Sequence, residues 1–151
     1  MAIAMLGGPV AIFKRSVDAY RQSLRLSGYQ PTDFPVATTG LFYAAADTKT
    51  ALREFYPYVD KGITLANGTG FNKRLFANGA KIQDVMAIGS PQAIIEKILY
   101  QYEQFGHQRY MAQIDFGGLP FEKVMKNIEI IGKDILPAIK KYTRKWLKWK
   151  L

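Results

Sequence analysis

The chain has 151 residues, of which 48% are apolar. That is enough for one domain with a buried core, but a complete eight-unit (β/α) barrel needs about 250 residues and does not fit. There is no cysteine and only one histidine, so disulfides, cysteine nucleophiles and metal sites with two imidazole ligands are excluded. The apolar start, Met1–Leu6, is too short for a signal peptide or a membrane span, and we expect a cytoplasmic protein.

The first part of the chain predicts two strands, each followed by a helix. Ala2–Leu6 is a short apolar run typical of a buried strand, and Gly7-Gly8-Pro9 ends it. Apolar residues at helical spacing then predict a helix that ends near Gly28. A second strand is expected over about Val36–Ala45.

The middle of the chain is less regular. Asp47 or Thr48 caps the second helix, and Pro57 should bend or shorten it. The segment Asn67–Gly79 is rich in glycine and asparagine, so we expect a long irregular loop that could act as a lid. Val85–Ile88 could add a short extended piece.

The clearest unit is a helix followed by a strand. Ser90 is a good N-cap, Pro91 suits the first helical position, and Gly106 supplies the left-handed residue that ends such a helix. The run Tyr110–Phe116 is largely apolar and suits a strand buried on both faces, as in a parallel sheet.

A turn at Gly117–Pro120 leads into a last helix, from Phe121 to about Leu136. The predicted order is therefore strand, helix, strand, helix, loop, helix, strand, helix. This alternation favours parallel strands joined by right-handed crossovers, and hence an α/β fold.

The net charge of +9 is concentrated at the C-terminus. The rest of the chain is only mildly basic, which gives no reason to expect nucleic-acid binding. Residues 143–151 alternate basic side chains with tryptophan and leucine, a pattern that can lie on an anionic membrane or bind nucleic acid. An adventitious extension of the last helix is the simpler interpretation. The concentrated basic residues are Lys140, Lys141, Arg144, Lys145, Lys148 and Lys150.

Several short motifs occur together in a characteristic order. AMLGGP covers residues 4–9, GSP opens a helix at residues 89–91, and QIDFGGLP covers residues 113–120. Over roughly residues 1–142, this set resembles the C-terminal part of the bacterial luciferase-like, flavin-dependent monooxygenases. The resemblance implies a partial TIM (β/α)8 barrel of about three parallel βα units with helices packed on the sheet. We therefore predict such a domain over residues 1–142 and a basic extension over residues 143–151.

The same resemblance implies a flavin site. In that family, reduced FMN from a separate flavin reductase reacts with oxygen, and the enzyme oxidises an organic substrate. The active site of such a barrel lies at the C-terminal ends of its strands. The family's serine-containing phosphate loop would lie upstream of residue 1, so we expect this chain alone to bind FMN weakly or not at all. The expected cofactor contacts are Gly7, Gly8, Asp115, Gly117 and Gly118.

Each candidate also has a purely structural interpretation. The glycines can simply permit sharp turns, and Pro9 after Gly8 removes one phosphate-binding donor. Asp115, an acid within an apolar strand, can form a structural hydrogen bond to a neighbouring loop. The family's catalytic histidine belongs to the first half of the barrel, so we interpret His107 as a surface or helix-end residue. We assign no catalytic residue and no metal ligand.

Two classes of function stay open. The first is an FMN-dependent monooxygenase (an oxidoreductase), of which this C-terminal fragment is inactive alone. The second is a non-catalytic assembly fragment, because strands from an opened barrel leave unpaired edges and apolar faces. A second copy in a homo-oligomer, or a companion half-barrel chain, would cover them. Neither nucleic acid nor a membrane is an expected partner, except as a minor alternative through residues 143–151.

Overall fold

The structure is a computed structural model that describes the backbone of residues 1–149 and the side chains of residues 1–144. The later side chains of the predicted basic extension lie outside the described residues. Within the described residues there are four strands: β1 (Ala2–Met5), β2 (Ala37–Ala44), β3 (Ala87–Gly89) and β4 (Arg109–Gln113). The same part of the chain holds the helices α1 (Val10–Leu26), α2 (Thr48–Asn67), α3 (Lys73–Ala77), α4 (Pro91–Phe105), α5 (Phe121–Ile130) and α6 (Leu136–Trp149).

The strands form one open, parallel sheet with β2 at its centre. Residues 37–40 of β2 pair with β1 on one side and with β4 on the other, and residues 42–44 pair with β3. The parallel pairing confirms the prediction of an α/β fold. β3 is a fourth strand in the described residues, and it lies where only a short extended piece over Val85–Ile88 was expected.

Helices pack on both faces of the second half of β2. Leu41 and Tyr43 pack beneath α2 on one face. Phe42 and Ala44 pack against α4 and the segment that joins α5 to α6 on the other face. α1 lies beside α4 on this second face. The carboxyl end of the central strand is therefore buried from both sides.

The first half of the sheet is exposed on one side. Side chains alternate along β1 and β4, and those that point away from α1 and α4 are exposed or partly exposed. The predictions that Ala2–Leu6 and Tyr110–Phe116 are buried strands are wrong for this reason, because helices cover only one side of them. We call this surface the open face; it comprises Ala2, Ala4, Ala37, Thr39, Arg109, Met111 and Gln113.

Local signals fix α4 as predicted. The Ser90 hydroxyl accepts a hydrogen bond from the backbone N–H of Ala93 at 3.2 Å, and Pro91 is the first helical residue. Gly106 adopts a φ of 56°, and its N–H donates to the carbonyl of Tyr102 at 2.7 Å. Both ends of this helix can therefore be read from the sequence.

The second helix, α2, is continuous through Pro57. Asp47 is its N-cap, because its carboxylate accepts the backbone N–H of Thr50 at 2.8 Å. The expected shortening at Pro57 is wrong, since α2 continues well beyond this residue, and the expected bend stays a prediction. Pro57 lies on the exposed side, whereas Phe55 and Val59 are fully buried. Burial of the apolar side outweighs the loss of one backbone hydrogen bond.

The segment expected to be an irregular loop, Asn67–Gly79, is largely helical. The side chain of Asn72 caps α3 by accepting two backbone N–H groups, and residues 78–80 form a 3₁₀ turn. Phe76 of α3 is buried and packs edge-on against Phe71. This tertiary contact stabilises a helix too short to be stable alone.

The last helix does not end near Leu136 as predicted. α5 continues through a π-helical turn, Ile131–Ile135, into α6, which reaches Trp149. Pro137 follows this turn and has no N–H to donate, so the wider turn accommodates the missing bond. α6 runs across residue 142, and the predicted domain boundary there stays a prediction. No helix in the described part of the chain combines the length and apolarity that a membrane crossing needs.

Candidate functional site

The carboxyl ends of β1, β2 and β4 lie at one edge of the sheet, because these strands are parallel. Ligands of parallel α/β sheets bind at this edge. The loops that leave it are residues 6–9 after β1, residues 45–47 after β2 and residues 114–120 after β4. All the residues predicted to contact a cofactor lie in the first and third of these loops.

The loop after β1 forms one wall of a cavity of about 440 Å³. Gly7 lies against a phenyl ring, since a Cβ atom at this position would stand 3.1 Å from the Cζ atom of Phe71. Gly8 has a φ of 104°, which favours glycine. The lining is mainly apolar and consists of Leu6, Gly7, Gly8, Pro9, Phe71, Leu75, Asn78, Lys81, Gln83 and Asp84. We call this the glycine cavity.

A buried carboxylate holds the wall of the glycine cavity in place. Asp84 is only 5% exposed, and it accepts the backbone N–H of Gly8 at 3.2 Å and that of Met86 at 3.0 Å. The two backbone segments are also bonded to each other directly, because the N–H of Val85 donates to the carbonyl of Gly8 at 3.0 Å. Burial raises the pKa of Asp84. The hydrogen bond from Met86, the charge of Lys97 and the hydrogen bond from Gly8 act in the opposite direction and lower it.

A buried lysine holds the segment that leads into β3 by hydrogen bonds to its backbone. Lys97 of α4 is 2% exposed, and its ammonium donates to the carbonyls of Gly79 and Met86. Burial lowers the pKa of Lys97 to about 8, while the charge of Asp84 acts in the opposite direction. Sequence analysis missed both Asp84 and Lys97. Lys97 stands on the apolar side of α4, three residues after Ile94, and that spacing was the available signal.

A second polar cluster lies at the end of β2. The Lys123 ammonium contacts Glu54 Oε2 at 2.8 Å and the Tyr43 hydroxyl at 3.1 Å, and that hydroxyl donates to Glu54 at 2.7 Å. The bonds from Lys123 and Tyr43 lower the pKa of Glu54, and the bond to Glu54 raises that of Lys123. Each polar group in the cluster has a partner, so its role is to fasten α5 to β2 and α2.

Asn127 of α5 completes the end of the central strand. It is 1% exposed, its side-chain oxygen accepts the N–H of Ala44 at 2.7 Å, and its amide donates to the carbonyl of Lys123 at 2.8 Å. The amide therefore replaces a strand partner for the last residue of β2. A polar residue within the apolar repeat of α5 is a signal that sequence analysis could have used.

The predicted residues after β4 do not line the glycine cavity. Gly117 has a φ of 66°, and a Cβ there would stand 1.8 Å from the Tyr58 carbonyl oxygen of α2. Gly118 faces Lys61 of the same helix. Asp115 was expected in an apolar strand; instead β4 ends at Gln113 and Asp115 is exposed. The structure thus groups Gly7 with Gly8 and places the other three apart, and their cofactor contacts stay predictions.

His107 was expected to be a surface or helix-end residue; it does lie at the end of α4, but it is not on the surface. It follows the C-cap of α4 directly, but it is only 5% exposed and packs beside the rings of Tyr102 and Tyr110. Burial lowers the pKa of His107 to about 4, so the imidazole is neutral at pH 7. It precedes β4 and therefore lies at the end of the sheet opposite the glycine cavity.

The described residues fit the ring of FMN but not its phosphate. The apolar wall of Gly7, Phe71 and Leu75 suits the edge of a flat aromatic ring. A phosphate requires free N–H groups or cations, but the N–H of Gly8 is bonded to a carboxylate, and Lys81 is the sole cation among the described residues that line the cavity. These residues do not form a phosphate site.

Comparison with known proteins shows the fold. No protein-family model matches this chain, and no curated protein sequence matches it. The solved structure of monooxygenase RslO1 from Streptomyces bottropensis is similar, with 18% identity over 90% of this chain and 40% of that chain and a TM-score of 0.70.

A second solved structure has the same fold. It is a type II Baeyer-Villiger monooxygenase in complex with FMN, the oxygenating constituent of 3,6-diketocamphane monooxygenase from the CAM plasmid of Pseudomonas putida. Its identity is 19% over 91% of this chain and 42% of that chain, with a TM-score of 0.61. This chain therefore spans well under half the length of the two monooxygenases whose fold it shares.

Proposed function

We propose that this chain is the C-terminal portion of a luciferase-like, FMN-dependent monooxygenase, corresponding to the last three main βα units of its barrel. The observation that carries this proposal is the fold match to monooxygenase RslO1, which covers 90% of this chain and 40% of the other at a TM-score of 0.70. The motifs at residues 4–9 and 113–120 support the same assignment independently.

In this proposal the glycine cavity receives the isoalloxazine ring of the flavin. Gly8, where an added Cβ would have no described atom within 4 Å beyond its chain neighbours, lets the ring approach the backbone, and Phe71, packed against Gly7, offers an aromatic surface. The buried Asp84 holds the loop in one conformation and so preorganises the wall. Bound flavin would supply the oxygen chemistry, and this chain would position the ring and exclude water from one side. The phosphate site and the catalytic residues would come from the remaining part of the barrel.

Flavin binding to the purified chain tests the proposal. Because the described residues give no phosphate site, riboflavin and FMN should bind equally and weakly, with dissociation constants on the order of 0.1 to 1 mM. The variant Leu75→Trp narrows the glycine cavity and should abolish flavin binding measured by equilibrium dialysis, a readout that quenching by the added indole does not affect. Leu65→Trp, on an exposed position of α2, is the matched control and should bind like the wild type. Flavin binding to Leu75→Trp with the same affinity as to the wild type would contradict the proposal.

A second candidate function is assembly, and the open face favours it. β1 and β4 each pair with β2 along one edge only, and the surface between them carries Ala2, Ala4 and Met111 exposed. Unpaired strand edges beside small apolar side chains are sites of association. We propose that a second copy of this chain, or a companion half-barrel chain, covers the open face, with the homo-oligomer as the favoured form.

A further inference from the structure

A second cavity lies on the face of the sheet that α4 covers, between α4, β4 and α6. Its volume is about 620 Å³, within the range of small-molecule sites. Its floor is formed by Phe42 of β2 and Ile98 of α4, and one wall by Ile135 and Ile139. We call it the lateral cavity. Among the described residues, none lines both the lateral cavity and the glycine cavity.

The space exists because small groups face an irregular helix. Ala112 of β4 and Gly106 present little side-chain volume to the lateral cavity. Opposite them, Ile131 and Ile135 belong to the π-helical turn between α5 and α6. Single π-helical turns inside α-helices occur frequently at functional sites. The apolar part of the lateral cavity therefore results from small residues on one side and the π-helical turn on the other.

Two residues that line one end of the lateral cavity, His107 and Tyr110, each carry a buried polar atom without a hydrogen-bond partner among the described residues. His107 is 5% exposed, and its Nδ1 atom has no hydrogen-bond partner among the described residues. The hydroxyl of Tyr110, on the adjacent strand, is also buried and unpartnered in that part of the chain. Buried polar atoms without partners are unfavourable, so a ligand atom that hydrogen-bonds to them would gain affinity.

The mouth of the lateral cavity is positively charged. Lys140 lines it and is exposed, and Lys141 and Arg144 follow on the same helix. Glu103, an acid of the facing helix α4, accepts a hydrogen bond from Tyr142. A positive surface beside an apolar cavity raises the local concentration of anions that have an apolar body.

We propose that the lateral cavity binds a small monocarboxylic acid with an apolar chain or ring. The apolar part lies between Phe42, Ile98 and Ile135. The carboxylate faces His107 and the ammonium of Lys140, and it accepts the hydrogen bond that the imidazole lacks within the described residues. The site and the glycine cavity have no described lining residue in common, so the site does not depend on the flavin assignment.

Calorimetric titration of the full chain with octanoate and with octanol tests the proposal. Octanoate should bind saturably, and octanol should bind about tenfold more weakly because it has no charge to interact with Lys140. Lys140→Gln, at an exposed position where folding is unaffected, should remove most of this difference, and His107→Phe should weaken octanoate more than octanol. Ala112→Leu fills the cavity and should abolish binding of both, whereas Ala4→Leu, on the exposed side of β1, should not.

Three results would overturn the proposal. The first is the absence of saturation by octanoate at concentrations up to about 10 mM, which would mean that the dissociation constant is too high for a specific site. The second is equal affinity for octanoate and octanol in the wild type. The third is wild-type binding by a folded Ala112→Leu variant, with folding checked by its thermal unfolding. If Ala112→Leu does not fold, the comparison between the wild type and Lys140→Gln decides the question.

Discussion

Asp84 accepts a hydrogen bond from the backbone N–H of Gly8 at 3.2 Å, although 76 positions separate the two residues in the chain. This bond ties the loop after β1 to the segment that leads into β3. This loop carries part of the motif at residues 4–9. A buried carboxylate therefore fixes the wall of the glycine cavity and also occupies a donor that a phosphate would need.

The Asp84 bond predicts a stability loss that is specific to this position. In Asp84→Asn, one of the two N–H groups faces an amide NH₂ group or loses its acceptor, and the free energy of unfolding should fall by about 1–3 kcal/mol. Urea denaturation measures the change. Asp115→Asn is the control, because Asp115 is exposed and its substitution should have almost no effect. Equal stabilities for the two variants would contradict the assigned role.

The buried Lys97 predicts greater stability at alkaline pH. Its pKa is about 8 in the fold and 10.5 in the reference state, so the unfolded chain binds more protons between these values. The free energy of unfolding should rise by up to about 3 kcal/mol from pH 8 to 10.5 relative to Lys97→Met, which lacks this group. A pH series of urea unfolding curves for both proteins measures the difference. A constant difference across this window would contradict the burial of a titrating ammonium.

His107 predicts a loss of stability in acid. Its pKa is about 4 in the fold and 6.5 in the reference state, so the unfolded chain binds the extra proton as the pH falls between these values. The free energy of unfolding should therefore decrease by about 3 kcal/mol between pH 6.5 and 4 relative to His107→Phe. No other imidazole contributes, because this is the only histidine of the chain. Parallel acid profiles for the two proteins would show that His107 is solvated.

Gly117 predicts a strong steric effect. Alanine there would need a φ of 66° and would place its Cβ 1.8 Å from the Tyr58 carbonyl oxygen, so α2 would have to move. We expect a loss of more than about 2 kcal/mol in thermal or urea unfolding. Gly132→Ala is the matched control, since no atom of the described residues outside its own helix backbone lies within 4 Å of the added methyl group and helical alanine is favoured. It should be neutral or slightly stabilising.

The proposed assembly predicts a concentration-dependent mass. Light scattering of the wild type should show a dimer or larger species, and Met111→Glu should shift it to the monomer because a charged side chain then replaces the large apolar side chain of the open face. Met125→Glu changes another exposed methionine, on α5, and should leave the mass unchanged. A wild-type protein that stays monomeric at high concentration, without binding apolar dyes, would remove the case for a homo-oligomer.

Sequence reasoning succeeded where the determinants are local. Ser90, Pro91 and Gly106 act within their own helix, and α4 was predicted at both ends. Pro57 misled the prediction of α2, because the burial of Phe55 and Val59 depends on a sheet that is distant in sequence. α3 was missed for the same reason, since Phe76 is stabilised by rings outside its helix.

The site was harder to predict than the fold. The motif at residues 4–9 led to Gly7 and Gly8, which do share a cavity. Asp84 and Lys97 act on that cavity from other elements, and a single sequence does not show which loops will meet. The burial of His107 has the same origin, because Tyr102 and Tyr110 enclose it only after α4 and β4 have packed together.

An NMR titration of the ¹⁵N-labelled chain with riboflavin tests the central claim most directly, because it shows where on the molecule a flavin ring binds. The account predicts that the amide signals of Gly7, Gly8 and Leu75, which line the glycine cavity, shift together and saturate. The signals of Gly28 and Gly68, at the ends of α1 and α2, should not move. Shifts confined to other surfaces, or no shifts at millimolar riboflavin, would contradict the claim that this chain forms one wall of a flavin pocket.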